Sequence, residues 1–437
     1  MTDVRTVTPA APEAVSLPFR AAPVSGSLKG SEILRIAAEI RSRAAGGERV
    51  CNLTVGDFDP RQFRVPAVLE EETIAALRKG ETNYPPSPGM PTLREAVCAY
   101  YERSFGLRYA TENVLITSGS RPGVYGTYLT IVGAGDRVVY GVPSWNNNYY
   151  THMVSGVDVP VACGARDAFL PGPDALAEAL RGARMLALNS PLNPSGTAFS
   201  AESLGAICDL VLEENRRRTP QEGALYLLYD QVYWPLTFGD TVHVDPVSLR
   251  PEMAPYTILI DGISKAFAAT GMRVGWVVGP GPAIEVMNNV LGHVGTWAPR
   301  AEQVATARLL ERPDEIAAYH AGLIGGVRAR LNALYNGIMA LRADGHPVDA
   351  IEPMGAIYLS AQFELLGRTK ADGGRIRTPD EARRWLLSEA GVAVVPFDAF
   401  GAEAEGGWCR LSVGAVSLDE IEAAVRRLRA ALETLAP

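Results

Sequence analysis

The chain has 437 residues, 47 % of them hydrophobic, enough to bury a core larger than one typical domain holds. Its formal net charge of −8, with no long basic run, argues against nucleic acid or an anionic membrane as the main partner. Five scattered cysteines without a Cys-x-x-Cys pair, and five histidines that never stand at i, i+4, point to neither a disulfide framework nor a metal site and fit a reducing cytoplasm.

Residues 1–28 mix Pro, Ala, Thr and Val with acids and have no continuous apolar stretch, so they read as an arm and not as a secretory signal or membrane span. From Gly30 the pattern turns helical, with Ile33, Ile36, Ala37 and Ile40 on one face and a stop near Gly46-Gly47. Five later segments share one layout, an apolar strand that runs into polar or glycine residues. Val114-Leu-Ile-Thr leads into Ser118-Gly-Ser-Arg-Pro-Gly123, and Arg137-Val-Val-Tyr into Val142-Pro-Ser-Trp145. Met185-Leu-Ala-Leu leads into Asn189-Ser-Pro-Leu-Asn193-Pro-Ser-Gly196, and Leu225-Tyr-Leu-Leu into Tyr229-Asp230-Gln-Val-Tyr233. Thr257-Ile-Leu-Ile leads into Asp261-Gly-Ile-Ser-Lys265, with Arg273 eight residues further on. Strands sharing one parallel sheet would bring their carboxyl ends to a single crevice, where open α/β sheets bind ligands. That crevice would hold a lysine, an acid, a tyrosine, an asparagine, an indole and two arginines. Near the end of the chain, Ser417-Leu-Asp-Glu420 is a capping box opening an amphipathic helix with Ile421, Ala424 and Leu428 on its apolar face.

In order and spacing these motifs resemble the class I/II aminotransferases, fold-type I pyridoxal-phosphate enzymes of the aspartate aminotransferase kind, from about Gly30 to the C-terminus. The resemblance implies an α/β fold with a mostly parallel sheet in a large domain flanked by helices, residues 74–310. A smaller α/β domain would be made from both chain ends, residues 29–73 with 311–437, behind the arm of residues 1–28. It implies pyridoxal 5′-phosphate as cofactor and an aminotransferase that moves the amino group of an L-amino acid to a 2-oxo acid through a Lys265 aldimine and a pyridoxamine intermediate. A lysine suits this because its flexible amine can bond an aldehyde, be displaced by a substrate amine and remain as a base.

By the same resemblance Asp230 pairs with the pyridine nitrogen, and Tyr233 with Asn193 bonds the cofactor's phenolic oxygen. Gly119 and Ser120 open a helix whose free N–H groups and dipole face the phosphate, with Ser264 and Arg273 completing the cup. Trp145 matches the aromatic stacked on the cofactor face, and Tyr84 the tyrosine that reaches the phosphate of a neighbouring subunit, which makes the active unit a homodimer. Arg410, in Trp408-Cys-Arg-Leu-Ser-Val-Gly414, matches the arginine that grips the substrate α-carboxylate, and Gly56 the glycine lying against it. Arg121 stands where one aspartate aminotransferase subgroup carries a lysine for the distal carboxylate. An acidic substrate is one reading of it; support for the phosphate or an interface pair is the other.

Racemisation, elimination or replacement, and carbon–carbon bond formation use the same first steps on this scaffold, so the motifs do not separate them from transamination. An α/β-hydrolase with Ser264 as nucleophile and His293, His320 or His346 downstream would need glycine where Ala266 stands, and would leave Asp230, Asn193 and Arg410 without a role. A dinucleotide site at Gly133-Ala-Gly135 is disfavoured because a strand follows it, and no helix-turn-helix precedes the fold.

Overall fold

The computed structural model describes residues 19–28, 30, 32–402 and 406–436. Its centre is a seven-stranded sheet in the edge-to-edge order Val114–Thr117, Gly275–Val278, Thr257–Gly262, Tyr226–Asp230, Met185–Asn189, Arg137–Val142, Val157–Ala162. Only Gly275–Val278 runs against the rest, so the expectation of a mostly parallel sheet holds and the five expected strands point the same way. Helices on both faces explain why the inner strands read as unbroken apolar runs, since side chains alternate and both faces are buried. Leu227, Tyr229 and Leu259 enter the core on one face, and Leu228, Ile258 and Ile260 the core on the other. The sequence reading passed over Val157–Ala162, an edge strand that is largely exposed and interrupted by Pro160.

A second body is built on a four-stranded antiparallel sheet, ordered Val395–Pro396, Trp408–Ser412, Tyr358–Phe363, Val348–Ala350. The helix Pro313–Ala343 packs on it, and Leu418–Leu432, opened by the expected capping box, packs along that helix. Its core joins Leu53, Phe58 and Phe63 to Leu331, Leu411 and Leu428, so both chain ends contribute.

The expected division at 73/74 falls inside the helix Ala67–Arg78, which packs along Arg300–Leu310. Val68 and Leu69 of that helix lie in the large core with Leu93 and Leu310, so the helix as a whole sides with the large body. The first eighteen residues of the expected arm lie outside the described residues. Its remainder forms the short helix Pro23–Ser27, where Val24 O and Ser27 Oγ lie 3.1 and 3.0 Å from His152 Nε2. Among the described residues no helix is long and apolar enough to cross a membrane.

Candidate active site

The carboxyl ends of the parallel strands open into a cavity of about 520 Å³ between the two bodies. Asp230 is the last residue of its strand, and its carbonyl accepts from Asn189 Nδ2 at 2.8 Å and Ser190 N at 3.0 Å. Asn189 Oδ1 in turn accepts from the Asn193 amide at 2.7 Å, which fixes the loop carrying Asn193 beside the acid. The Asp230 carboxylate faces the cavity, with Oδ1 accepting from the Val232 amide at 3.2 Å. Burial raises its pKa to about 6, against the opposing effects of that amide and of Lys265.

Lys265 follows its strand in the single turn Ile263–Ala266, and Nζ donates to Gly56 O at 2.6 Å. The rings of Phe58 and Tyr233 flank it, each centred 5.9 Å from Nζ. Burial lowers its pKa to about 8; Asp57 opposes the shift, and Arg410, Arg121 and Arg273 add to it. An amine in this setting loses its proton far more readily than a surface lysine does.

Two glycines allow the next feature. Gly119 has φ +83°, and a Cβ there would collide with the Arg273 guanidinium, while a Cβ on Gly275 would lie 2.5 Å from Ser120 N. The strand, the turn and the arginine therefore close on one another just before the helix Ser120–Ile131. Arg273 is held there by Nη1 to Thr270 O at 2.7 Å and Nη2 to Ser118 O at 2.9 Å. Thr270 Oγ1 donates to Asp57 Oδ1 at 2.6 Å. Ser120 and Ser264 line the same cavity, as do Trp145 and Arg121, whose guanidinium lies 4.5 Å from the indole centre.

The second body contributes Arg410, which is 2 % exposed. Nη1 donates to Asn193 Oδ1 at 3.0 Å and Nη2 to Thr54 O at 2.7 Å, and the rings of Tyr358 and Phe400 lie 4.7 and 4.9 Å from the guanidinium. No acid pairs with it and Nε has no partner among the described residues, so a full positive charge sits buried against neutral acceptors. Gly56 makes the approach possible: a Cβ at that position would lie 2.8 Å from the Tyr358 hydroxyl and 3.7 Å from Arg410 Nη1.

The cavity thus gathers Gly56, Ser120, Arg121, Trp145, Asn193, Asp230, Tyr233, Ser264, Lys265, Arg273 and Arg410, with Gly119 packed against Arg273. Tyr84 stays outside: it is 81 % exposed, and its ring meets Trp297 at 5.3 Å. No histidine lines the cavity, which leaves Ser264 without the base that a hydrolase requires. The sequence reading missed Asp57, Asn189, Thr270 and Tyr358. Asn189 had a usable signal as the last residue of a strand, whereas Tyr358 had none.

These residues fit pyridoxal 5′-phosphate part by part. A glycine-rich helix start with a fixed arginine suits the phosphate, a buried acid suits a protonated ring nitrogen, and an amine of lowered pKa suits an aldehyde.

Residues 48–428 match the family model for aminotransferase class I and II. The aspartate aminotransferase of Geobacillus stearothermophilus is 30 % identical over 412 residues, spanning 94 % of this chain and 98 % of that protein. Among solved structures, the aspartate aminotransferase from Rhizobium meliloti superposes with a TM-score of 0.87 at 29 % identity, covering 96 % of this chain and all (100 %) of that one. The Thermus thermophilus aspartate aminotransferase with maleate gives 0.84 at 27 %, covering 95 % and 100 %.

Proposed function

The chain belongs to the class I and II aminotransferase family and is a pyridoxal-phosphate-dependent aminotransferase acting on an amino acid and a 2-oxo acid, and from that premise we propose how its residues divide the work. When bound, the cofactor supplies an aldehyde for the substrate amine and a ring that takes up the electron pair left at Cα. Lys265 Nζ would hold the cofactor aldehyde and, as a free amine, would carry the Cα proton. Its pKa of about 8 keeps a useful fraction of free base near neutrality. Asp230 keeps the proton on the ring nitrogen. Tyr233 and Asn193 would donate to the phenolic oxygen, and Trp145 would cover the ring face. The amides of Gly119 and Ser120, the Ser264 hydroxyl and Arg273 hold the phosphate.

Arg410 grips the α-carboxylate against Gly56, which orients Cα above Lys265 and excludes water from the carboxylate. Its burial without an acid partner, in the cavity that holds Lys265 and Asp230, is the observation that carries this reading. Arg121 reads an acidic side chain. It is an exposed cation in a helix's first turn, where the dipole does not favour one, and the three relatives given above are named for aspartate, one of them solved with maleate. Tyr84 crosses a homodimer interface to the partner's phosphate, and its exposure supports this. Five free thiols suit a reducing cytoplasm.

The test is direct. Aspartate, glutamate, alanine and leucine are offered to the loaded enzyme with a 2-oxo acid, the cofactor absorption is followed and the keto products are identified, while borohydride reduction and peptide mapping locate the cofactor-bearing lysine. We expect keto acids, formed fastest from the acidic donors, and the label on Lys265. A label on another lysine sinks the site, and uniform rates across the four donors sink the acidic preference.

A further inference from the structure

Tyr233 and Tyr358 lie with their hydroxyl oxygens 2.6 Å apart, both side chains buried, and each hydroxyl is the other's only hydrogen-bond partner among the described residues. The contact joins the large body to the small one, and backbone fixes it. The loop after Asn193 docks on the Tyr358 strand: Gly196 has φ +72° and leaves no room for a Cβ beside the Tyr358 carbonyl. Ser360 Oγ donates to Ser195 O at 2.7 Å, and the Gly355 amide to Gly196 O at 2.9 Å. The same Tyr358 ring supports the Arg410 guanidinium from 4.7 Å.

A count of protons settles the direction of the Tyr233–Tyr358 bond in the working enzyme. A phenol has one proton to give and lone pairs to receive. If Tyr233 gave its proton to Tyr358, it could only accept, and a charged phenolic oxygen on the cofactor could gain nothing from it. If Tyr358 is the donor, Tyr233 accepts that proton and gives its own onward, and each bond polarises and strengthens the next.

We propose that Tyr358 is a positioning residue of this active site, whose hydroxyl donates to Tyr233 and so aims and sharpens the Tyr233 proton for the cofactor's phenolic oxygen, while its ring supports Arg410. This rests on the reading of Tyr233 given above. Tyr358 lines the same cavity, and in this scheme it acts through the two residues that hold substrate and cofactor. One side chain on the seam between the bodies then links the grip on the α-carboxylate to the tuning of the cofactor.

The experiment compares Tyr233→Phe, Tyr358→Phe and the double variant as loaded enzymes, reading the pH midpoint of the cofactor's visible absorption. A donor at the phenolic oxygen draws electron density from the neighbouring nitrogen, so losing it raises the midpoint. Tyr233→Phe should raise it most, Tyr358→Phe in the same direction by roughly half to one pH unit, and the double variant should match Tyr233→Phe alone. An unmoved midpoint in Tyr358→Phe, or a shift that adds fully to that of Tyr233→Phe, overturns the proposal. An unmoved midpoint in Tyr233→Phe withdraws the Tyr233 reading and the proposal with it. The ring's part is read separately: Tyr358→Phe should leave the KM for alanine close to that of the parent, while Tyr358→Leu should raise it about threefold to thirtyfold. Should Tyr358→Leu fail to fold, the Tyr358→Phe spectrum still decides. A KM rise as large in Tyr358→Phe as in Tyr358→Leu would overturn the division between hydroxyl and ring.

Discussion

Two arginines are buried in the small body to almost the same degree, Arg383 at 3 % and Arg410 at 2 % exposure, yet their surroundings are opposite. Arg383, in the helix Pro379–Glu389, donates to Asp380 Oδ1 at 2.9–3.0 Å and to Glu39 Oε2 at 2.9 Å, so its charge is neutralised within the fold. Among the described residues Arg410 meets only an amide oxygen, a backbone carbonyl and two rings. A buried charge without a counter-charge weakens the fold unless something else gains from it, and here the gain is an anion-binding site. Partners, and not residue type or burial, separate a structural cation from a functional one.

The largest break in this comparison is Arg410→Ala. Losing a bidentate grip on a carboxylate should lower kcat/KM by two to three orders of magnitude, about 3–4 kcal/mol, and by similar factors for aspartate and alanine because both carry the α-carboxylate. Thermal stability should hold or rise, since an unpaired buried charge has been removed. A loss confined to one substrate, or a steep fall in Tm, would place Arg410 with Arg383 as a structural residue.

The acids extend the same contrast. Asp230→Asn keeps the shape and removes the charge beside the ring nitrogen, so kcat should fall by one to three orders of magnitude, ~1.4 kcal/mol per tenfold, with cofactor still bound. Its titration offers a second reading on the apoprotein. Burial raises the Asp230 pKa from an ordinary 3.8 to about 6, so the folded form holds a proton that the unfolded chain has released. The stability this contributes is present below pH 4 and lost as pH rises through 6. Apo Tm against pH should therefore fall less steeply across that window in Asp230→Asn than in the parent. Equal slopes would show that Asp230 is not the titrating group.

How much of this could be read in advance follows from how local each feature is. Strands such as Thr257–Gly262 were legible because all six residues are buried, and Lys265, Asp230 and Asn193 came with them as residues at or just past strand ends. Gly275–Val278 was passed over, a short strand running against its neighbours that carries no turn signal of its own. The pairings that complete the site are remote along the chain. Tyr233 and Tyr358 are 125 residues apart, Asp57 and Thr270 213, and Asn193 and Arg410 217, and no periodicity carries information over such distances. The expected division at 73/74 falls within one helix because amphipathic spacing reveals that Ala67–Arg78 has a buried face but not which core receives it.

The opposite variant should give the opposite signature. In Arg383→Ala two carboxylates lose one cation each, but Asp380 keeps Arg384 at 2.9 Å and Glu39 keeps Arg43 at 3.8 Å, and with 26 % (Glu39) and 44 % (Asp380) side-chain exposure both can rehydrate, so the cost should be about 1–3 kcal/mol, less than for a fully buried pair. Tm should drop by several degrees while kcat/KM for every donor stays near that of the parent. A large kcat/KM loss with unchanged Tm would end the contrast between the two arginines.

Arg121 lies between these extremes and gives the smallest expected effect. It has no acid partner among the described residues, as with Arg410, but it is exposed and already lies over the Trp145 indole. Solvent screens whatever carboxylate it meets, so Arg121→Ala should cost about 1 kcal/mol, roughly fivefold in kcat/KM, for aspartate and glutamate. Alanine and leucine, which have no distal carboxylate, should be nearly unaffected. The ratio of acidic to apolar kcat/KM is therefore the quantity to measure, because it cancels any general disturbance of Trp145 or of the nearby phosphate loop. Raising the salt concentration should shrink the parent's ratio toward that of the variant, since an exposed pair is screened and a buried one is not. A variant that loses activity equally on all four donors would make Arg121 a support for the cofactor and would remove the acidic side chain from the proposed substrate.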